Sequence, residues 1–263
     1  MYSSTRLAFN YLNYLRRSSN GKGHGIHSPF VYEFVTEVLN DEREFYPFAE
    51  IESRRSELER DHSLIEVEDY GKSPRSVRNT EVAGIARRAV STPKFGRLLF
   101  RMVNHYQPAQ VIELGTSLGI SGAYLASANR GSGLITLEGS ASIARVAKET
   151  FNKLNLPQIR QITGNFDETL SAVIASAPPA GLVYIDGNHR KGPLLNYFQQ
   201  FLNKRPATAV FILHDIHWSP EMEDAWRIIR DCPELMLTID LFSAGLVFFR
   251  DTFRVKQHFT IRF

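Results

Sequence analysis

The chain has 263 residues, a hydrophobic fraction of 43% and a formal charge of +3, which are ordinary values for a globular protein with a full core. The single cysteine, Cys232, excludes an intramolecular disulfide, and no apolar stretch reaches the length of a membrane span or of a signal-peptide core. We therefore expect a cytoplasmic protein without a transmembrane segment, and so small a charge gives no reason to expect a nucleic acid as partner.

The first 95 residues predict a helical N-terminal extension or cap, which leaves residues 96–263 as the main domain. Apolar residues recur at helical spacing near the start of the chain, at Leu7, Tyr11, Tyr14 and Leu15. Arginines flank this face, so a basic amphipathic helix that meets a membrane surface or a partner is one interpretation. We prefer the other interpretation, in which the helix packs on the main domain. Residues 63–78 are the least regular part of this region and predict a loop.

From residue 110 onward, short apolar segments alternate with helical patterns. The predicted strands are residues 111–112, 134–137, 159–162, 182–185 and 209–213. Alternation of this kind predicts an α/β fold with parallel strands joined by right-handed crossovers. The ending differs, because the apolar segments 235–242 and 245–249 are joined by a short loop and predict an antiparallel hairpin.

Residues 110–122 read QVIELGTSLGISG and combine a short apolar strand, a glycine-rich turn and the start of a helix. That arrangement places a ligand over the carboxyl end of the first strand of a doubly wound sheet. The dinucleotide pattern requires a second glycine where this chain has Ser117, whose Cβ would press on a pyrophosphate. The phosphate-loop pattern requires a lysine that this turn does not contain. The turn therefore predicts a nucleoside ligand without a pyrophosphate.

This stretch resembles motif I of the class I S-adenosylmethionine-dependent methyltransferases, and it is nearest to the O-methyltransferase branch, where E-x-G-T-x-x-G is a common form. The resemblance implies a Rossmann-like, seven-stranded and mostly parallel sheet with a C-terminal antiparallel hairpin. It also implies S-adenosylmethionine as the cofactor. The residues that would hold this methyl donor are Glu113, Gly115, Thr116, Ser117, Gly119, Glu138, Asn165, Phe166 and Asp186.

Some of these residues have specific predicted roles. Glu138 ends the second predicted strand, nineteen residues after Gly119, where an acid can accept hydrogen bonds from both ribose hydroxyls. In the resembled family, the residue at the position of Asn165 pairs with the exocyclic amine of adenine, and the residue at Phe166 packs on the ring. Many members have an aspartate where this chain has Asn165, although an asparagine can also accept a hydrogen bond. Asp167 is predicted to cap the helix that follows.

A second group of polar residues follows the fourth and fifth predicted strands, with DGNH at residues 186–189 and HDIHW at residues 214–218. Because the carboxyl ends of neighbouring parallel strands meet at one edge of a sheet, we expect both segments to lie together beside motif I. They resemble a subgroup of small-molecule O-methyltransferases, some of them metal-dependent. The resemblance implies His189 as the general base, with Asp186 and Asp215 holding the substrate or a divalent cation.

A divalent cation, Mg²⁺ or Mn²⁺, stays an open alternative. Related metal-dependent enzymes have a carboxylate or an amide beside the downstream aspartate, where this chain has His214 and Ile216. Ile216 cannot bind a metal. His214 is either a ligand, which would favour manganese, iron or zinc over magnesium, or a core histidine with satisfied hydrogen bonds. The predicted metal ligands are Asp186, Asp215 and His214.

The sequence thus predicts an S-adenosylmethionine-dependent methyltransferase that acts on a hydroxyl of a small molecule. The alternatives are an RNA or protein methyltransferase on the same fold, a metal-dependent hydrolase and a non-catalytic nucleoside-binding module. The N/D-P-P-Y/F motif that often serves methylation of base amines does not occur at residues 186–189, which argues against an RNA substrate. A homodimer is compatible with the sequence.

Overall fold

The structure is a computed structural model and describes residues 2–19, 21–23, 25–69 and 76–263. The chain forms two compact units. The first, which we call the terminal unit, consists of Met1–Asp41 and Pro178–Phe263. The second, which we call the middle unit, consists of Glu42–Ala177. The predicted domain boundary between residues 95 and 96 stays a prediction.

Helices and strands alternate along most of the chain. The helices are α1 Ser4–Arg17, α2 Pro29–Glu33, α3 Pro47–Leu58, α4 Val82–Ala89, α5 Pro93–Tyr106, α6 Ile120–Ala128, α7 Ala141–Lys153, α8 Phe166–Ser176, α9 Lys191–Asn203 and α10 Pro220–Asp231, and a π-helix covers Phe34–Leu39. The strands are β1 Leu64–Asp69, β2 Ser76–Glu81, β3 Gln110–Leu114, β4 Gly133–Glu138, β5 Ile159–Thr163, β6 Leu182–Ile185, β7 Val210–His214, β8 Leu237–Asp240, β9 Ala244–Phe248 and β10 Gln257–Thr260. Among the described helices, none combines the length and the apolar character needed to cross a membrane.

The middle unit contains three parallel strands, with β4 between β3 and β5. Strand β3 is buried along its whole length, and β4 is buried except at its two ends. This burial agrees with the near-continuous apolar sequence of both strands, which is typical of strands covered on both faces. The register pairs Leu114 with Leu137, so the glycine-rich turn after β3 and Glu138 at the end of β4 lie at the same end of the two strands.

The prediction of a loop at residues 63–78 is wrong in part, because β1 and β2 form an antiparallel hairpin there, and residues 70–75 lie outside the described residues. The N-terminal region is therefore not purely helical. Strand β1 alternates between sides, with Val67 buried and Leu64 exposed. Its apolar side is short and stands among acidic residues, so the sequence of this strand carries only a faint alternation. The hairpin is attached to α7, since the Ser142 hydroxyl donates to the carbonyl of Glu66.

The terminal unit contains five strands, β6 to β10. Strands β6 and β7 are parallel, β9 pairs with β7 and β8 in antiparallel register, and β10 pairs with β8 in parallel register. The predicted α/β class, the mostly parallel strands and the C-terminal hairpin are confirmed. Strand β10 brings the described strands after the β1–β2 hairpin to eight, whereas the resemblance implied seven. The eighth strand is short and has four residues.

Helix α1 packs within the terminal unit, as the preferred interpretation predicted. The ring of Tyr14 is buried, and the rings of Tyr11 and Tyr14 lie 5.0 and 5.2 Å from that of Phe242. The Tyr14 hydroxyl donates to the carbonyl of Ile261. Ser3 caps the helix by accepting a hydrogen bond from the backbone of Arg6 at 3.3 Å, and arginines in the last turn complement the helix dipole.

Candidate active site

The glycine-rich turn after β3 has the tight shape that the motif predicts. The backbone N–H groups of Gly115 and Thr116 both donate to the carbonyl of Leu137, at 3.0 and 3.1 Å. The turn closes with a hydrogen bond of 2.9 Å from the N–H of Gly119 to the carbonyl of Thr116. Gly115, Ser117 and Gly119 have φ angles of 102°, 47° and 87°. The left-handed conformation of Ser117 is uncommon for a residue with a side chain, and such conformations often occur at ligand-binding turns.

Close packing explains why two of the positions in this motif are glycines. A Cβ on Gly119 would lie 2.9 Å from the ring of Phe151, and its positive φ already favours glycine. A Cβ on Gly122 would lie 2.9 Å from a carboxylate oxygen of Glu113. Helix α6 can therefore approach β3 and α7 closely only with glycine at both positions. Whether Gly119 also contacts a ligand stays a prediction.

Glu113 lies beneath the turn and is fully buried, with no exposed area. Its carboxylate accepts a hydrogen bond of 2.6 Å from the hydroxyl of Thr136, and Thr136 in turn lies 2.6 Å from the hydroxyl of Thr116. These contacts tie the end of β3 to β4 under the turn. Glu113 thus supports the turn in this structure, and its predicted place below the methionine end of a bound donor stays a prediction.

Glu138 ends β4 and faces the turn. Its carboxylate accepts backbone hydrogen bonds from Ser117 at 2.9 Å and from Ser140 at 3.0 Å, one on each oxygen. Burial raises the pKa of this carboxyl, and the backbone N–H groups of Ser140, Ser117 and Gly139 counteract that rise. Each carboxylate oxygen has further lone-pair capacity, so the predicted interaction with two ribose hydroxyls is compatible with the hydrogen bonds already present.

Asn165 and Phe166 follow β5, where the resemblance places the adenine site. Both are half-buried. The prediction that Asp167 caps α8 is wrong, because Asn165 is the N-cap and its side-chain oxygen accepts a hydrogen bond of 3.2 Å from the N–H of Asp167. Asp167 instead lies exposed in the first turn of the helix, where its charge complements the helix dipole. An adenine contact by Asn165 or Phe166 stays a prediction.

The polar segments after β6 and β7 lie together in the terminal unit, as predicted from their places at the ends of parallel neighbours. The register pairs Ile185 with Leu213, so Asp186 and His214 come next to each other. A carboxylate oxygen of Asp186 lies 2.9 Å from Nδ1 of His214, and the other oxygen accepts a hydrogen bond of 2.8 Å from the Tyr184 hydroxyl. Tyr184 was not predicted as a site residue. Its position two residues before Asp186 on a strand was the signal that both face the same side.

Asp186 and His214 form a charged pair. Burial alone would raise the pKa of Asp186, but the adjacent His214 and the hydroxyl of Tyr184 outweigh burial and lower it to about 2. Burial alone would lower the pKa of His214, but Asp186 and then Asp215 raise it to about 9. For Asp215, burial raises the pKa, since the attraction of His214 and His189 does not fully compensate.

Asp186, His189 and Asp215 offer one ligand atom each, and these atoms lie within 4.8 Å of one another. Nε2 of His189 lies 3.8 Å from an oxygen of Asp186 and 3.9 Å from an oxygen of Asp215. The structure thus brings the three predicted catalytic residues together. It groups His189 with the two aspartates, whereas the predicted metal ligands included His214, whose Nδ1 is bonded to Asp186. A metal-binding role for His214 stays a prediction, and the core-histidine interpretation fits its contacts.

The ring of His217 is held between two acids. Nδ1 lies 3.1 Å from a carboxylate oxygen of Glu223, and Nε2 lies 2.9 Å from one of Asp240. Burial alone would lower the pKa of His217, but Asp240 and Glu223 outweigh it and raise the pKa. Asp240 comes from a distant part of the sequence, and no local spacing marks it as a partner.

Residues 112–216 match the family model described as a methyltransferase domain, a range that begins in β3 and contains both groups of predicted site residues. Over these residues the chain is similar to a methyltransferase domain. The match confirms the predicted class of enzyme, a methyltransferase. The alternating helices and mostly parallel strands confirm the predicted Rossmann-like fold. No curated protein matches the sequence.

Solved structures of O-methyltransferases share the fold. One is a putative O-methyltransferase from Klebsiella pneumoniae, with 16% identity, a TM-score of 0.58 and coverage of 80% of this chain and 92% of that one. Another is the O-methyltransferase from Bacillus cereus in complex with SAH, with 16% identity, a TM-score of 0.57 and coverage of 84% and 97%. A third is TomG from Streptomyces achromogenes in complex with SAM, with 14% identity, a TM-score of 0.56 and coverage of 84% and 94%. At these identities the likeness concerns the fold.

Proposed function

We propose that this methyltransferase transfers the methyl group of S-adenosylmethionine to a hydroxyl of a small molecule. The observation that carries the proposal is the meeting of Asp186, His189 and Asp215 at the ends of β6 and β7, with ligand atoms within 4.8 Å of one another. Two acids and an imidazole so close together are suited to bind a hydroxyl and to take its proton. Solved O-methyltransferases with the same fold and bound SAH or SAM support the choice of donor and of reaction.

The donor would bind to the turn after β3 and to the ends of β4 and β5. Glu138 would accept hydrogen bonds from the ribose hydroxyls, while Asn165 and Phe166 would hold the adenine. Glu113, Gly115, Thr116, Ser117 and Gly119 would form the base of this site, and Asp186 is the remaining predicted contact. The Cβ of Ser117 suits a nucleoside ligand that has no pyrophosphate.

His189 would act as the general base. Methyl transfer from a sulfonium is an in-line displacement, and a hydroxyl is a poor nucleophile until its proton is removed. Nε2 of His189 is the ring atom that faces both carboxylates, at 3.8 and 3.9 Å, so an acceptor hydroxyl held by Asp186 or Asp215 would lie within reach of it. The donor loses its positive charge in this step, so exclusion of water favours the reaction.

A divalent cation fits the same residues, since two carboxylate oxygens and one imidazole nitrogen are donors that Mn²⁺ accepts well and Mg²⁺ accepts less well. When bound, such an ion would lower the pKa of the acceptor hydroxyl and fix its direction. His189 cannot be a metal ligand and the base through the same nitrogen. The two roles are therefore alternatives, and removal of metal distinguishes them.

Calorimetry with S-adenosylmethionine tests the donor site. Wild type should bind it with a dissociation constant on the order of micromolar, and Glu138→Ala should weaken binding about tenfold or more because a charged hydrogen-bond acceptor is lost. Glu66→Ala, an exposed acid on β1, is the matched control and should bind as wild type. If neither wild type nor control binds the donor, the proposed function is refuted.

Transfer of a labelled methyl group to phenols, catechols and aliphatic alcohols, with matched amines and thiols, tests the reaction. His189→Ala should keep donor binding and lose about a hundredfold in rate, whereas His62→Ala, an exposed histidine of the middle unit, should have no effect. A rate that EDTA abolishes and Mn²⁺ restores would assign His189 to the metal instead. Unchanged turnover in His189→Ala would contradict both roles.

The same measurements separate the alternatives. Transfer to RNA or to protein in place of a small molecule would support a different acceptor on this fold, and donor binding with no transfer to any acceptor would support a nucleoside-binding module. Metal-dependent hydrolysis that needs neither Glu138 nor donor would support a hydrolase. A cytoplasmic location is a further proposal, supported by the single cysteine. A homodimer is a further proposal as well.

A further inference from the structure

Asp215 depends on its backbone for its position. Among the described residues, no side chain or backbone group donates a hydrogen bond to its carboxylate, and the rings of His214 and His189 lie 3.6 and 3.9 Å away. Asp186, in contrast, is held directly by Tyr184 and His214. The φ angle of Asp215 is 58°, a left-handed conformation that a residue with a side chain adopts only when its surroundings impose it. Something outside the carboxylate must therefore hold this loop.

Part of that support comes from the turn between β8 and β9. The N–H of Asp215 donates to the carbonyl of Ser243 at 2.6 Å. The neighbouring residue Phe242 also has a left-handed backbone, with φ of 66°, and its N–H donates to a carboxylate oxygen of Asp240 at 2.8 Å. The turn that receives Asp215 is thus itself fixed by Asp240.

His217 closes this arrangement into a ring of contacts. Its Nε2 lies 2.9 Å from the second oxygen of Asp240, and its Nδ1 lies 3.1 Å from Glu223 on α10. Its ring stacks on that of Phe242, with centroids 5.2 Å apart and planes at 19°. The two ring nitrogens thus face carboxylates on two different elements. His217 therefore links the loop of Asp215 to α10 and to the β8–β9 turn at once.

Helix α1 and the residue before it complete the arrangement from the outside. The Tyr2 hydroxyl donates to Glu223 at 2.7 Å, and the side-chain amide of Asn10 donates to the other oxygen of Glu223 at 3.3 Å. The N–H of Tyr2 donates to the carbonyl of Trp218 at 3.1 Å, inside the loop that begins with Asp215. The ring of Tyr11 packs edge-on against Phe242 at 5.0 Å.

We infer that His217 is a positioning residue for Asp215, and that Tyr2 and α1 act as part of the active site by holding His217 through Glu223 and Phe242. The segment before the methyltransferase domain thereby has a role that its sequence did not reveal. The inference rests on the proposed function in one respect, which is that Asp215 acts on the acceptor. The ring of contacts itself involves no ligand.

Hydrogen–deuterium exchange of the purified full-length protein tests the ring of contacts. Tyr2→Phe combined with Asn10→Ala should speed the exchange of the amides at residues 215–219 about tenfold, as loss of hydrogen bonds to a charged acceptor predicts. Exchange in α9 should stay as in wild type. The control is Tyr32→Phe, an exposed tyrosine of the same unit, which should change neither. Unchanged exchange at residues 215–219 in the double variant would overturn the inference.

Methyl transfer then tests the effect on Asp215, with the acceptor on which wild type turns over fastest in the panel above. The double variant and His217→Gln should each lower kcat several-fold while the KM for S-adenosylmethionine stays unchanged. In an Asp215→Asn background, Tyr2→Phe with Asn10→Ala should have no further effect, which a merely structural role would not predict. Faster exchange with unchanged kcat would overturn the positioning role. If wild type methylates nothing, the proposed function fails, whereas the exchange experiment still decides whether the ring of contacts holds the loop.

Discussion

Four glycine-to-alanine substitutions separate two reasons for which this chain needs glycine. Gly119 has a positive φ of 87°, and its Cβ would lie 2.9 Å from the ring of Phe151. Gly122 has an ordinary φ, but its Cβ would lie 2.9 Å from Glu113. Gly25 has a φ of 80° and an open environment, and Gly192 has neither constraint. The four positions therefore cover every combination of a positive or an ordinary φ with a crowded or an open environment.

The expected changes in the free energy of unfolding follow from these geometries. A positive φ costs a residue with a side chain about 1 kcal/mol, which is the whole effect expected for Gly25→Ala. Overpacking of a filled site costs about 2 kcal/mol, so Gly119→Ala should lose about 3 kcal/mol in total. In Gly122→Ala the better helix propensity of alanine offsets the crowding by about 1 kcal/mol, which leaves a loss of about 1 kcal/mol. Gly192→Ala should gain up to about 1 kcal/mol.

Urea unfolding followed by circular dichroism measures all four variants against wild type, at one temperature and pH. A relief variant adds a second check, because Gly119→Ala with Phe151→Leu should recover part of the loss that crowding causes. If Gly119→Ala loses no more stability than Gly25→Ala, contact with Phe151 does not constrain α6, and the packing explanation of this motif is refuted.

Further predictions concern single contacts. Tyr124→Phe removes the hydroxyl that donates to Glu52 at 2.7 Å and should lower the free energy of unfolding by about 1 kcal/mol, whereas Tyr46→Phe, at an exposed tyrosine, should leave it unchanged in the same urea titration. Tyr184→Phe removes a hydrogen bond to Asp186 and should lower kcat about tenfold. The affinity for S-adenosylmethionine, measured by calorimetry, should stay unchanged. If only that affinity changes, Tyr184 has no role at the acceptor. The pKa of His217 is raised in the folded protein. Its stabilising effect is therefore complete at pH values below 6.5, the pKa of the unfolded state, and disappears as the pH rises through the folded-state pKa. The pKa of Asp240 is lowered in the folded protein. Its contribution to stability is therefore present at pH values above 3.8, the pKa of the unfolded state, and disappears as the pH falls through the folded-state pKa. The difference in unfolding free energy between wild type and His217→Gln should therefore be largest near pH 6 and smaller near pH 10, and an equal difference at both would contradict the paired imidazolium.

The strands after residue 110 were predictable because each carries its own signal. Strand β6, for example, is a continuous apolar segment that ends at an acid, and the structure places it at the predicted residues. Parallel strands buried on both faces need no knowledge of their neighbours to be recognised. The β1–β2 hairpin lacks that signal, because only one side of a short strand is buried and the other side is charged.

The candidate site was predictable to the level of segments but not of atom pairs. The topology of parallel strands brought Asp186 and Asp215 together, but whether His189 or His214 joins them depends on side-chain directions that no spacing encodes. The capping of α8 shows the same limit. Asn165 and Asp167 are both favourable capping residues, and the backbone bend at Asn165 decides between them. The partner of His217 on β8 is determined by tertiary structure alone.

Strand β10 lies at the edge of the terminal unit's strands, where an unpaired strand invites association with another chain. In this fold the segment after α1 covers part of that edge. Ser19 forms a parallel bridge with Ile261, with hydrogen bonds of 2.9 Å from the N–H of Ser19 to Thr260 and 3.2 Å from the N–H of Arg262 to Ser19. The guanidinium of Arg262 also donates to the carbonyl of Leu15 at 2.9 Å. Removing residues 2–19 would therefore leave this backbone open to strand addition, so a variant trimmed to its methyltransferase domain should aggregate even if its core still folds.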